Sequence, residues 1–111
     1  MTHPAVCTDA ANLISNIPAE LVDAFDDFLD RYGVEVTMAR SAAVRVVTSV
    51  FHRYCRQVLR IEPAYGTQVI RMLDVRGFLP EWITSKAGEN LLIVRGLQLS
   101  DAAMKGEFTN V

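Results

Sequence analysis

The sequence predicts a mainly α-helical domain with short β-strands. Segments 19–32 and 38–60 repeat apolar residues at helical spacing, and neither contains glycine or proline. Segments 12–17 and 82–94 instead place alternating or clustered apolar residues beside turn residues, as strands do. The 111 residues, half of them apolar, suffice for one hydrophobic core and are too few for two catalytic domains.

The first helix is predicted to begin after Pro18 and to end at Gly33. Proline suits the first helical position, Glu20 complements the positive end of the helix dipole, and a glycine commonly follows a helix. The apolar side comprises Leu21, Val22, Phe25, Phe28, Leu29 and Tyr32. The opposite side carries Asp23, Asp26, Asp27 and Asp30. This helix should therefore cover a core with one face only.

The run 38–60 is predicted as the longest helix, and 64–76 as a shorter one that follows Pro63 and stops at Gly77. On the long helix the apolar side comprises Ala43, Val47, Val50, Phe51, Tyr54 and Val58, continuing to Ile61. The opposite side is basic and comprises Arg45, His52, Arg53, Arg56 and Arg60.

Two strand regions flank these helices in the prediction. Residues 12–17 form a short strand that Pro18 stops, and residues 82–85 and 91–94 form a hairpin through the turn-rich stretch 86–90. A helical turn beginning at Pro80 is the alternative for the start of the hairpin.

Charge is distributed unevenly along a chain whose formal net charge is -2. Residues 1–33 carry six acidic residues and one basic residue, whereas residues 34–76 carry seven arginines, no lysine and three acidic residues. This asymmetry favours either a basic face for an anionic partner or ion pairs between helices. Both alternatives remain open at this point.

The sequence predicts a cytoplasmic protein with no membrane partner. It contains no apolar run of the about 18 to 20 residues that a bilayer requires, and its N-terminus lacks the pattern of a signal peptide. Cys7 and Cys55 are expected to be free thiols, because two cysteines give little support for a disulfide framework.

We expect no enzyme activity, no catalytic residues, no metal and no cofactor. His52 and Cys55 are three residues apart on a predicted helix, but two ligands without a second pair rarely make a zinc site. The four aspartates of the first helix are explained as a solvated face. The sequence also contains no glycine-rich phosphate loop and no hydrolase motif.

A family resemblance covers residues 12–60. A strand ending in Ile-Pro-Ala-Glu-Leu, a helix closing on Tyr-Gly, and Arg-Ser-Ala-Ala-Val-Arg at 40–45 opening a second helix resemble the ribbon-helix-helix family of DNA-binding proteins. The resemblance implies a homodimer whose paired strands form a two-stranded ribbon in the major groove, where base edges can be distinguished. It divides the chain into a dimerisation and DNA-binding region, 1–61, and an extension, 62–111.

The resemblance also implies roles for individual residues. The expected base contacts are Asn12, Ile14 and Asn16. The expected phosphate contacts are Thr37, Arg40, Ser41 and Arg45, near a helix N-terminus whose free amides attract phosphate. The expected dimer core comprises Leu13, Ile17, Phe25, Val47 and Phe51.

These expectations together indicate a sequence-specific, double-stranded DNA-binding regulator of the repressor or antitoxin type. The alternative is a phage- or plasmid-borne module that inhibits a host protein and binds no DNA. The extension is expected either to pack onto the helices or to bind a protein partner through Trp82 and Phe78, since exposed aromatic side chains mark interfaces.

Overall fold

The structure, a computed structural model, describes residues 16–108. Of these residues, 47% are helical and 22% lie in strands that form two small antiparallel sheets. The prediction of a mainly α fold that begins with a ribbon is therefore wrong. Every strand in the described part follows the first helix. Of the predicted strand 12–17, only Asn16 and Ile17 are described, and they lie in a turn.

Helix α1 spans Ala19–Tyr32 and confirms the predicted amphipathic pattern. Gly33 ends the helix for a reason that differs from the expected one. Its φ of -79° is ordinary extended backbone, but a Cβ atom at this position would lie 2.6 Å from the carbonyl oxygen of Leu29. A glycine is needed here because the chain turns closely past the last helical turn into strand β1, Gly33–Glu35.

The predicted helix 38–60 is shorter than expected. Residues 37–40 make a turn, strand β2 spans Ser41–Ala43, and helix α2 spans only Val44–Tyr54. A π-helical turn, Cys55–Leu59, follows and ends at Arg60, whose φ is +54°. The helical propensity of residues 38–43 is overridden because β2 pairs with a later strand, a long-range contact that local periodicity does not reveal.

The predicted third helix is confirmed within two residues as α3, Gly66–Val75. The predicted hairpin is confirmed as β3, Pro80–Thr84, and β4, Asn90–Arg95, which pair antiparallel. After Gly96 the chain forms β5, Leu97–Leu99, and a short helix α4, Asp101–Met104.

The strands assemble in the orders β2-β4-β3 and β1-β5. Because β4 and β5 follow each other through Gly96, the two sheets meet at a kink, where Gly96 has a φ of +82°. A Cβ atom there would lie 3.0 Å from the sulfur of Met38, so both the backbone conformation and the space favour glycine.

One core joins the helices and the sheets. Its aromatic centre includes Phe25 and Phe51, whose rings meet edge to face with centroids 5.0 Å apart. The same cluster contains Leu73 from α3 and Val94 from β4, so the core is continuous across the predicted boundary at residues 61 and 62.

Four of the five residues expected to form a dimer core are buried within one chain. Ile17 is 6% exposed, and Phe25, Val47 and Phe51 are fully buried, all within a single chain. Their burial needs no second subunit, which removes the physical reason for a core shared between subunits. Leu13, the remaining member of that set, lies outside the described residues.

Among residues 16–108, no helix is both long enough and apolar enough to cross a membrane.

Candidate functional site

Three of the four aspartates on the acidic face of α1 form ion pairs with arginines of the same chain. Arg76, just after α3, contacts Asp26 at 3.2 Å and Asp30 at 3.1 Å. Asp27 pairs with Arg31 at 3.0 Å and accepts a hydrogen bond from the hydroxyl of Tyr54. Ion pairing between helices, one of the two explanations for the charge asymmetry, therefore accounts for Asp26, Asp30 and Arg76.

The other arginines of the basic segment are unpaired. None of their side chains forms a hydrogen bond or an ion pair with another residue between 16 and 108, and all six residues are exposed. They are Arg40, Arg45, Arg53, Arg56, Arg60 and Arg71. The second explanation, a basic face available to an anionic partner, therefore applies to most of the segment.

Helix α3 presents a polar face that carries one of these arginines, Arg71. Its buried side, Val69, Met72 and Leu73, packs into the core, while Thr67 and Arg71 are exposed one helical turn apart. The exposed side can therefore contact a ligand without any loss of core packing.

Two contacts fix where α3 begins. His52 of α2 uses its Nε2 to donate a hydrogen bond to the carbonyl oxygen of Ala64, which is itself buried. The backbone N–H of Tyr65 donates to Oε1 of Gln68 at 2.8 Å, so the third helical residue reaches back to cap the helix. The second helix thus positions the third.

A cleft of about 500 Å³ lies between α2, the start of α3 and the β3–β4 hairpin. Trp82 stands at its edge and is 70% exposed. The lining residues are Val44, Arg45, Thr48, Ser49, His52, Gly66, Ile70, Trp82, Asn90, Leu91 and Leu92. The described lining contains no aspartate or glutamate, so the cleft is electropositive as well as partly apolar.

The structure separates the residues predicted to bind phosphate. Thr37 and Arg40 belong to one turn, in which the N–H of Arg40 donates to the carbonyl oxygen of Thr37. Ser41 lies in β2, and only Arg45 lies in the first turn of a helix. The expected helix N-terminus at residue 40 is therefore wrong, because α2 begins four residues later.

The residues predicted to contact bases or a protein partner lie in different parts of the chain. Asn12 and Ile14 lie outside the described residues, and Asn16 is exposed in the turn before α1. Trp82 is exposed in the cleft, whereas Phe78 is half-buried against the core. Phe78 therefore serves packing in this structure.

Cys55 does not belong to a reactive site. Its side chain is fully buried, and burial raises the pKa of the thiol to about 11. A thiol with this pKa stays protonated at neutral pH.

The sequence analysis did not single out the exposed face of α3 as a candidate binding surface. Tyr65, Thr67 and Arg71 were assigned no role, although the spacing of Tyr65 and Gln68 is that of a capped helix start. No local sequence pattern predicts that Asn90 lines the cleft together with residues of α2, because its position depends on the pairing of strand β4 in the β2-β4-β3 sheet.

The chain matches no family model, no curated protein and no solved structure.

Proposed function

We propose that this protein is a double-stranded DNA-binding regulator that reads the major groove with helix α3. The single observation that carries the proposal is the exposed polar face of α3, which is positioned by α2, carries the unpaired Arg71 and shares a cleft with the unpaired Arg45. The reading element is a helix, and it takes the place of the strand ribbon that the sequence suggested.

The order of elements supports this proposal. Helix α1, strands β1 and β2, helices α2 and α3, and the β3–β4 hairpin follow one another, and the three-stranded sheet takes the order β2-β4-β3. Apart from β1, β5 and α4, this order resembles that of a helix-turn-helix domain with a hairpin wing. Helix-turn-helix proteins insert their second helix, here α3, into the major groove. The connection between α2 and α3 is longer than in the simplest such motifs.

The position of the acidic residues is compatible with DNA. Asp26 and Asp30 contact Arg76 after the C-terminal end of α3, whereas Thr67 lies at its N-terminal end. A helix of ten residues is about 15 Å long. The N-terminal half of α3, with Thr67, can therefore approach DNA while Asp26 and Asp30 lie near the far end of the helix, where they pair with Arg76 and where α3 also carries Asp74.

Phosphate contacts are supplied in this proposal by residues flanking α3. Arg45 and Arg56 are both exposed on α2 and its π-helical extension, about three helical turns apart. Lys86 is exposed in the turn of the β3–β4 hairpin. Contacts of this kind fix the position of a protein on DNA, whereas Thr67 and Arg71 would contact base edges.

The test is the salt dependence of binding to a duplex. We expect about micromolar affinity for a fluorescently labelled random-sequence duplex at about 50 mM salt, measured by anisotropy. The logarithm of the binding constant should fall with the logarithm of salt concentration with a slope of about -3, for three phosphate contacts.

The variants decide where the DNA lies. The double substitution Arg45→Gln with Arg56→Gln should reduce the slope by about 2. Arg53→Gln, on the same helix but packed beside Gly106, is the matched control and should leave the slope unchanged. Absence of duplex binding at low salt, or an equal slope for all three proteins, would contradict the proposal and favour a protein-binding module.

A further inference from the structure

We propose that the cleft between α2, the start of α3 and the β3–β4 hairpin binds a flat aromatic ring that carries an anionic group. The cleft is lined by residues of one chain, and the site is inferred independently of the proposed function.

The apolar part of the cleft favours an aromatic ring. Trp82 is 70% exposed, although burial of an indole ring is strongly favourable. It stands beside an apolar surface formed by Val44, Ile70, Leu91 and Leu92. The volume of about 500 Å³ lies within the range of about 300 to 1,000 Å³ typical of small-molecule sites. A flat ring can stack on Trp82 and cover this surface.

The polar part of the cleft favours an anion. Arg45 has no acidic partner among the described residues, and the described lining contains no carboxylate. Asn90 uses its Oδ1 to accept a hydrogen bond from Thr84 Oγ1, which leaves the N–H groups of its side chain free to donate. A cation would find no charged partner in this lining.

Thr48 adds a group without a partner. It lines the same cleft, and its hydroxyl is shielded from solvent without a hydrogen bond to any described residue. A shielded polar group of this kind is unfavourable until it is paired. Solvent does not reach this hydroxyl in the structure, so the groups of the lining that are accessible to an anion are Arg45 and Asn90.

Two sources share this chemistry. A small aromatic carboxylate places the charge next to the ring, whereas a nucleoside monophosphate places it on a sugar. Benzoate and adenosine monophosphate represent the two sources, with benzamide and adenosine as their neutral counterparts. Comparison of the affinities of benzoate and adenosine monophosphate shows which of the two kinds of ligand the cleft prefers.

Trp82 itself reports on binding, because it is the only tryptophan in the chain. We expect saturable quenching of its fluorescence by benzoate or by adenosine monophosphate, with heat of binding confirmed by calorimetry. The neutral counterpart should bind at least about tenfold more weakly, because it cannot form the charge-assisted hydrogen bond to Arg45.

Arg45→Gln should reduce the affinity for the charged ligand to that of its neutral counterpart. Arg45 is exposed and unpaired, so this variant should fold normally. Arg53→Gln lies outside the cleft lining and should bind like the unmodified protein. The inference is overturned if no probe binds saturably, if charged and neutral members bind equally, or if Arg45→Gln changes nothing. Ligand binding by a protein that fails to bind duplex DNA would support this site and reject the proposed function.

Discussion

Replacing Phe51 by alanine should lower the free energy of unfolding by about 3–5 kcal/mol, the usual cost of removing a buried aromatic ring. Phe51 is fully buried. Its ring centroid lies 5.0 Å from that of Phe25 and 5.3 Å from that of Phe28, so its loss opens a cavity at the meeting point of α1 and α2. Urea denaturation followed by circular dichroism measures the effect.

The control for this prediction is Val34→Ala, at a side chain that is 44% exposed, which should change stability by less than about 0.5 kcal/mol. The urea midpoint of the unmodified protein should also stay constant over about two orders of magnitude in protein concentration. A midpoint that rises with concentration would show that a second subunit covers this core after all.

Much of the secondary structure could be predicted because it is locally encoded. In α1, apolar and acidic residues separate cleanly onto opposite faces, and Pro18 marks the start. The β3–β4 hairpin was predictable from apolar runs on either side of a stretch containing Gly88, whose φ is +86°. Local pattern and tertiary structure agree in both regions.

Strand β2 could not be predicted in this way. Residues 41–43 continue the helical pattern of α2, and they become extended because they pair with residues 93–95 of β4. Contacts between segments about 50 residues apart leave no local periodicity. The same reasoning applies to the arrangement of the sheets, and it explains why a ribbon before α1 seemed plausible from residues 12–17 alone.

The candidate site was predictable in its chemistry and unpredictable in its geometry. An excess of arginine in residues 34–76 was visible in the sequence, and Trp82 was predicted as a candidate partner-binding residue. The sequence could not show that Arg76 is the one that neutralises α1 or that Arg71 stays free, because both depend on how α3 packs. Charge counts identify a basic segment, whereas ion pairs decide which part of it is available.

Replacing Arg71 by alanine should weaken binding to the preferred duplex by about 1–3 kcal/mol and should weaken binding to random duplexes much less. The guanidinium is exposed on α3, one turn after Thr67, and a helix in the major groove can place such a group against guanine O6 and N7. The preferred duplex is first selected from a random pool with the unmodified protein, and both affinities are then measured at one salt concentration.

Arg53→Ala provides the comparison, since it removes the same charge from a position away from α3. It should weaken binding to both duplexes slightly and equally. If Arg71→Ala also reduces the affinity for every sequence alike, Arg71 contacts phosphate, and α3 does not read bases through it.

Amide NMR spectra of the isotope-labelled protein during titration with duplex DNA show whether α3 forms the DNA-binding surface. We predict that the largest chemical-shift changes fall on residues 65–71 and on Lys86, while the amide signals of Asp23 and Asp26 on α1 stay in place. DNA binding that shifts the α1 amide signals and leaves those of residues 65–71 unchanged would rule out a DNA-binding surface on α3.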